Sequence, residues 1–88
     1  MKYKVVLHKK VVKYLTKIPQ KKKDAIKNTL KRLERGGFDI LNVKKMHGEW
    51  KGYRRFRLGD IRIIFWVEER EKVIYVDYIG ARGDIYKR

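Results

Sequence analysis

Between Tyr53 and Trp66 the chain reads Tyr-Arg-Arg-Phe-Arg-Leu-Gly-Asp-Ile-Arg-Ile-Ile-Phe-Trp. Arginines set among apolar residues can do chemistry on phosphates. The guanidinium is planar and permanently charged, and its fork of N–H donors matches a phosphate bidentately. Gly59-Asp60 has the form of a two-residue hairpin turn, with glycine where a positive φ is tolerated. Such a turn fixes the register. Leu58 then faces Ile61, Arg57 faces Arg62, Phe56 faces Ile63, Arg55 faces Ile64 and Arg54 faces Phe65. Side chains alternate between the two faces of a strand. One face therefore gathers Phe56, Leu58, Ile61, Ile63, Phe65 and Val67, which is a core surface. The other gathers Tyr53, Arg55, Arg57, Arg62, Ile64 and Trp66.

Arg57 and Arg62 oppose each other on that second face, and like charges across a ladder are unfavourable. Two unit charges about 5 Å apart repel by about 0.8 kcal/mol in water, and by a few kcal/mol in a partly dry groove. Two readings of the face stay open. In the bland one the side chains splay into solvent, or pair with Asp77 or Glu68. In the functional one they form a phosphate site, with Tyr53 and Trp66 as surfaces on which bases stack. Arg82 follows the last strand directly and can fold back over the sheet edge, and Tyr86 comes four residues later. Lys44 and Lys45 are either solvated loop charge or contacts to an RNA backbone. His8 and His47 have no serine or carboxylate at a readable spacing, and His8 suits a strand–helix junction.

These residues need a scaffold. Tyr3 to Leu7 alternates as a first strand. From Lys9, Val11, Leu15 and Ile18 repeat at i, i+4 and i+7, the period of an amphipathic helix. Pro19 disfavours helix at Ile18 and suits the first turn of another. Ile26, Leu30 and Leu33 carry that second helix, with lysines and arginines on its outer face, and Gly36-Gly37 ends it. Phe38 to Trp50 lacks a period and reads as a loop. Trp50 to Leu58, Ile61 to Val67 and Val73 to Ile79 read as strands, with a charged turn at Glu68 to Lys72. The expected fold is α+β in the order β-α-α-β-β-β, a helical hairpin on one face of a mostly antiparallel sheet.

Composition narrows the function. The 88 residues allow one domain, spanning 1–88. The absence of cysteine excludes a disulfide scaffold, a thiolate metal site and a cysteine nucleophile. Neither a histidine pair nor a carboxylate cluster is readable, so no metal and no cofactor is expected. No apolar run approaches the roughly 20 residues of a membrane span, and no signal sequence is evident. The expectation is a soluble cytoplasmic protein. Lysine plus arginine total 25 against 10 acids, a net charge of +15. Such a balance points to a polyanionic partner. Residues 1–45 hold 13 lysines and 2 arginines, whereas residues 46–88 hold 3 lysines and 7 arginines. One half is a diffuse attractive field, in which Lys21, Lys22 and Lys23 are candidate RNA contacts. The other places forked donors sparingly.

The segment Arg55-Phe56-Arg57-Leu58-Gly59-Asp60-Ile61-Arg62 resembles the RelE/ParE superfamily of toxins. So do Lys45-Met46-His47-Gly48 before it and Gly80-Ala81-Arg82-Gly83-Asp84-Ile85-Tyr86 after it. The resemblance spans the whole chain. It implies a RelE-like mRNA interferase of a type II toxin–antitoxin system. Such a toxin cleaves mRNA on the ribosome, inhibits translation and is neutralised in a hetero-oligomer by an acidic, RelB-like antitoxin. It further implies that Arg55, Arg57, Arg62, Arg82 and Tyr86 form the catalytic constellation. Two departures stand out. Ala81 replaces the histidine many relatives carry before Arg82, and the strand cations are Arg where some toxins have Lys. ParE-like toxins share the fold but bind gyrase, and a non-catalytic RNA- or ribosome-binding domain is a further alternative.

Overall fold

The apolar positions that repeat at helical spacing are the ones the fold buries: Val11, Ile26, Leu30 and Leu33. The computed structural model describes residues 2–38 and 42–81. Its elements are β1 (Lys4–Leu7), α1 (Lys9–Leu15), α2 (Gln20–Glu34), β2 (Lys44–Lys45), β3 (Arg54–Leu58), β4 (Ile61–Glu68) and β5 (Val73–Ala81). A 3₁₀ turn at Gly48–Trp50 lies between β2 and β3. The strands form one mixed sheet in the order β1-β5-β4-β3-β2. β1 runs parallel to β5, and the other neighbours are antiparallel. A parallel pair cannot be closed by a hairpin. The helices and the β2–β4 meander therefore lie between its two strands in sequence.

Both helices start and stop for local reasons. His8 caps α1, its Nδ1 accepting the Lys10 N–H at 3.0 Å. The helix ends at Leu15, earlier than the period suggested, because Pro19 keeps Ile18 out of helical geometry. Ile18 still packs against the core. At the end of α2, Gly36 takes a φ of +79°. Its N–H reaches the Leu33 carbonyl at 2.9 Å, and the Gly37 N–H reaches that of Arg32 at 3.0 Å. This pair of bonds is a Schellman stop.

One core lies between the helices and the sheet. Phe65 sits at its centre, fully buried, with the rings of Phe38 and Phe56 each 5.9 Å away. Phe56, Ile61 and Ile63 join it, as the hairpin register requires. Tyr14 packs at the edge of this core. Burial, and secondarily the Asp60 carboxylate, raises its phenol above the ordinary value. The folded state thus holds that proton more tightly than the unfolded chain. The contribution is complete below the unfolded pKa, about 10, and is lost as pH rises through the raised folded value. Denaturant midpoints measured above pH 10 are therefore expected to fall less steeply for Tyr14→Phe than for the parent chain.

Two expectations are corrected. The segment from Phe38 to Trp50 contains more than a loop. Lys44–Lys45 adds a short fifth strand, with Lys44 opposite Arg55 and Lys45 opposite Arg54. The third strand begins at Arg54 and not at Trp50, because the 3₁₀ turn and Gly52, at φ +95°, interrupt extended backbone.

Candidate functional site

The hairpin register is the one Gly59-Asp60 demands. Arg57 pairs with Arg62, Arg55 with Ile64 and Arg54 with Phe65. Gly59 has a φ of +65° and Asp60 does not share it, so glycine occupies the first central position, as a type II′ turn requires. Arg55, Arg57 and Arg62 consequently share the sheet face turned away from the helices. Lys44 joins them from β2 across from Arg55. A cleft of about 220 Å³ is lined by Asn42, Lys44, Arg55, Phe56 and Arg57. Among the described residues, no carboxylate lies within ion-pairing distance of Arg55 or Arg57.

Neither Asp77 nor Glu68 forms an ion pair with Arg55 or Arg57, and each accepts other hydrogen bonds. Asp77 Oδ2 accepts the Tyr53 hydroxyl at 2.9 Å. Glu68 Oε2 accepts the backbone N–H of Arg70 at 2.7 Å and that of Glu71 at 3.4 Å. Tyr53 and Trp66 lie on the arginine face, as the alternation requires, but neither stands alone. Trp66 stacks on Tyr75 at 4.5 Å with an 18° interplanar angle. Tyr53 meets Trp50 edge-on at 5.2 Å.

A β-bulge completes the site. The β4–β5 register shifts between Ile64 and Phe65: Phe65 pairs with Val76, but Ile64 pairs with Tyr78. Asp77 is the extra residue. A bulge re-aims the side chains beyond it, so Tyr78 and Gly80 fall on the arginine face, whereas unbroken alternation after Val76 would place them in the core. Gly80 pairs with Arg62. A Cβ there would come within 2.7 Å of Tyr78 Cε1 and 2.9 Å of its hydroxyl oxygen. The bare glycine thus lets the Tyr78 ring lie across the strand beside Arg62. The Nε of Arg62 is sealed from solvent, and Arg62 pairs with Arg57 on one side and Gly80 on the other.

The face is also less open than its sequence suggests. Ile64 is fully buried on it, in a small second core with Met46, against which Trp50, Tyr53 and Tyr78 pack. Residues 46–53 therefore fold over one end of the arginine face and form a wall. The sequence offers Asp77 only as a counterion and Met46 and Gly80 only as members of the family-like segments, and it gives Trp50 and Tyr78 no role in the site. One signal was available: Ile74 and Val76 are two apart but Ile79 comes three later, the mark of a bulge.

The remaining candidates are scattered. Lys45 alternates to the other face with Arg54, whose guanidinium carbon sits 5.3 Å from the Phe38 ring centre. Lys21, Lys22 and Lys23 begin α2, in the layer on the opposite side of the sheet. Arg82 and Tyr86 lie outside the described residues. Among the described residues, no three His, Cys, Asp or Glu side chains are grouped to hold a metal ion, and no helix is long and apolar enough to cross a membrane.

Comparison with known proteins decides the family. The model for the ParE toxin of the type II toxin–antitoxin system parDE matches residues 5–86. The chain is a RelE/ParE superfamily toxin. Among solved structures it is similar to a chain of the archaeal RelE–RelB complex of Pyrococcus horikoshii OT3, with 33% identity and a TM-score of 0.78. That match covers 94% of this chain and 98% of the other. A chain of the RelB–RelE antitoxin–toxin complex of Methanococcus jannaschii is 25% identical, with a TM-score of 0.73 over 93% and 95% of the two chains. A mutant of E. coli toxin RelE, bound to a peptide of its antitoxin, shares the fold at 18% identity, with a TM-score of 0.75 over 94% and 86%. A search of curated proteins found no significant match. The helical hairpin on a five-stranded sheet is the RelE toxin fold, and this member is RelE-like.

Proposed function

We propose that this RelE-like toxin is a ribosome-dependent mRNA endonuclease that needs no metal, inhibits translation and is held inactive by an acidic, RelB-like antitoxin. The observation that carries the reading is the opposed Arg57–Arg62 pair, beside Arg55 and Lys44, on a face where Arg55 and Arg57 have no described carboxylate partner. Concentrating like charge is costly, and a bound polyanion relieves that cost. The partner follows from the +15 charge and from the RelE–RelB complexes among the similar structures.

RNA cleaves itself when its 2′-hydroxyl oxygen attacks the adjacent phosphorus and the 5′ oxygen of the next nucleotide leaves. The enzyme must stabilise charge on the phosphoryl oxygens and move two protons. In this chain Arg62 and Arg82 clamp the scissile phosphate. Arg55 and Arg57 hold neighbouring phosphates or assist proton transfer, and Tyr86 stacks on a base or shares in that transfer. Arginine is a poor proton donor or acceptor. Much of the rate therefore rests on positioning, which the ribosome supplies by arranging the message. Co-purification from the native operon tests the antitoxin: an acidic partner of matching stoichiometry supports the reading, and a basic partner or none removes it.

The ParE name of the matching family model favours a second reading, in which the same fold binds gyrase. Inhibition of DNA supercoiling without mRNA cleavage would establish it in place of the first.

Long-range attraction is assigned to the lysine-rich helices. With about 4–6 phosphate contacts on a single strand, log K against log salt is expected to slope at about −3 to −4. Replacing Lys21, Lys22 and Lys23 together with alanine should flatten that slope and leave the cleavage pattern unaltered. Binding titrations at several salt concentrations measure the slope, and a salt-independent affinity would contradict the picture.

A further inference from the structure

Beside the arginines, a cleft of about 530 Å³ opens between the β1–α1 junction and the wall formed by residues 46–53. Trp50, Tyr53 and Tyr78 line it with aromatic surface, Glu49 and Asp77 with carboxylates, and His8 and Lys10 stand at the junction. It adjoins the phosphate site through Tyr78, whose ring crosses Gly80 beside Arg62. Carboxylates so close to a phosphate site weaken its attraction for phosphate, in a chain that has only 10 acids. Aromatic walls with acceptors among them are what an unstacked RNA base requires, namely a surface for its ring and partners for its Watson–Crick edge.

We propose that this cleft is a nucleobase subsite that reads guanine, with Asp77 as the principal acceptor and Glu49 as the second. Guanine is the base whose Watson–Crick edge presents two adjacent N–H donors, on N1 and N2. A carboxylate is acceptor-only and offers about four lone-pair sites on two oxygens. The Tyr53 hydroxyl occupies one position on Asp77 Oδ2 at 2.9 Å and thereby fixes the carboxylate toward the ring walls. Adenine and cytosine each set one amino donor beside a ring acceptor, and uracil sets one N–H between two carbonyls. Each therefore turns at least one lone pair against the carboxylate. The bulge that makes Asp77 the unpaired residue of β5 is the device that delivers both Asp77 and Tyr78 to the cleft.

The inference rests on the RNA-cleavage reading, yet binding tests it without cleavage. The purified chain, free of antitoxin, is titrated with GMP, AMP, CMP and UMP while backbone amide NMR shifts are followed. GMP is expected to bind about tenfold tighter than the other three, as a bidentate base contact provides, with shifts at Glu49 to Tyr53, Asp77 and Tyr78. Asp77→Asn keeps an acceptor for Tyr53 but loses the forked pair, and should erase the GMP preference with the spectrum otherwise folded. Glu49→Gln, on an exposed turn, should reduce the preference in part. Equal affinity for the four nucleotides, shifts confined to Arg55, Arg57 and Arg62, or an unchanged preference in Asp77→Asn would each overturn the subsite. GMP binding in the cleft by a chain that cuts no mRNA would leave the subsite standing and defeat the nuclease reading. Cleavage with no bias toward guanine, unaltered by Asp77→Asn, would do the reverse.

Discussion

Arg62→Ala is expected to slow single-turnover cleavage of ribosome-bound mRNA by about 10²–10³, the usual cost of removing one donor aimed at developing charge. Arg62 lies on β4, in the middle of the sheet, with its Nε sealed from solvent and Gly80 opposite it. A stem buried this way has less freedom to lose when its guanidinium meets a phosphate than an exposed side chain has. Removing an exposed lysine, by contrast, costs well under a factor of ten, since surface charges contribute about 0–1 kcal/mol. Magnitude therefore separates a clamp from a diffuse field. Arg62→Lys refines the test. It keeps the charge and loses the fork, so it should cut faster than alanine and slower than the parent. Circular dichroism and antitoxin binding show whether each variant is folded. If Arg62→Ala cuts within about threefold of the parent, the effect belongs to a diffuse charge and the clamp is wrong.

Phe65→Ala is expected to unfold the chain or leave it barely folded at 37 °C. The ring is fully buried between the helices and the sheet and touches both Phe38 and Phe56. Truncating a buried phenylalanine costs about 3–5 kcal/mol, part in lost transfer and part in the cavity left behind. An 88-residue domain has a total stability of about 4–13 kcal/mol at the usual 0.05–0.15 per residue. The loss is therefore comparable to the whole. Urea denaturation followed by circular dichroism measures it. Phe65→Leu, which retains most of the volume, should lose far less. A Phe65→Ala variant within about 1 kcal/mol of the parent would show that the core is not organised around this ring.

The arginine face was legible because a two-residue turn leaves no freedom. Once Gly59-Asp60 is read, the register of ten residues follows, and with it which side chains share a face. The helices were legible from their apolar spacing and from the Gly36-Gly37 stop. What escaped was non-local or irregular. Asp77 looks like a routine member of an alternating strand, yet it is the bulge that turns Tyr78 and Gly80 toward Arg62. Trp50 adjoins a strand in the sequence pattern, but Gly52 breaks the extended backbone between them. Ile64 stands among arginines in the alternation, on the face turned away from the helices. It is buried because Met46, from a segment without period, closes over it. Sequence patterns report faces of regular elements and say little about what an irregular segment covers.

The central claim is that this toxin cuts mRNA by steering the message's own 2′-hydroxyl onto a phosphate held by arginines. It is tested most directly with two messages that differ only at the mapped cleavage position, one all-ribose and one with a single 2′-deoxynucleotide. Both are presented on ribosomes kept assembled by polyamines in the presence of EDTA. The account predicts that the ribose message is cut to a 2′,3′-cyclic phosphate or 3′-phosphate and a 5′-hydroxyl, and that the deoxy message stays intact at that position. Cleavage of the deoxy message, products ending in 5′-phosphate, or an uncut ribose message on intact ribosomes would contradict it.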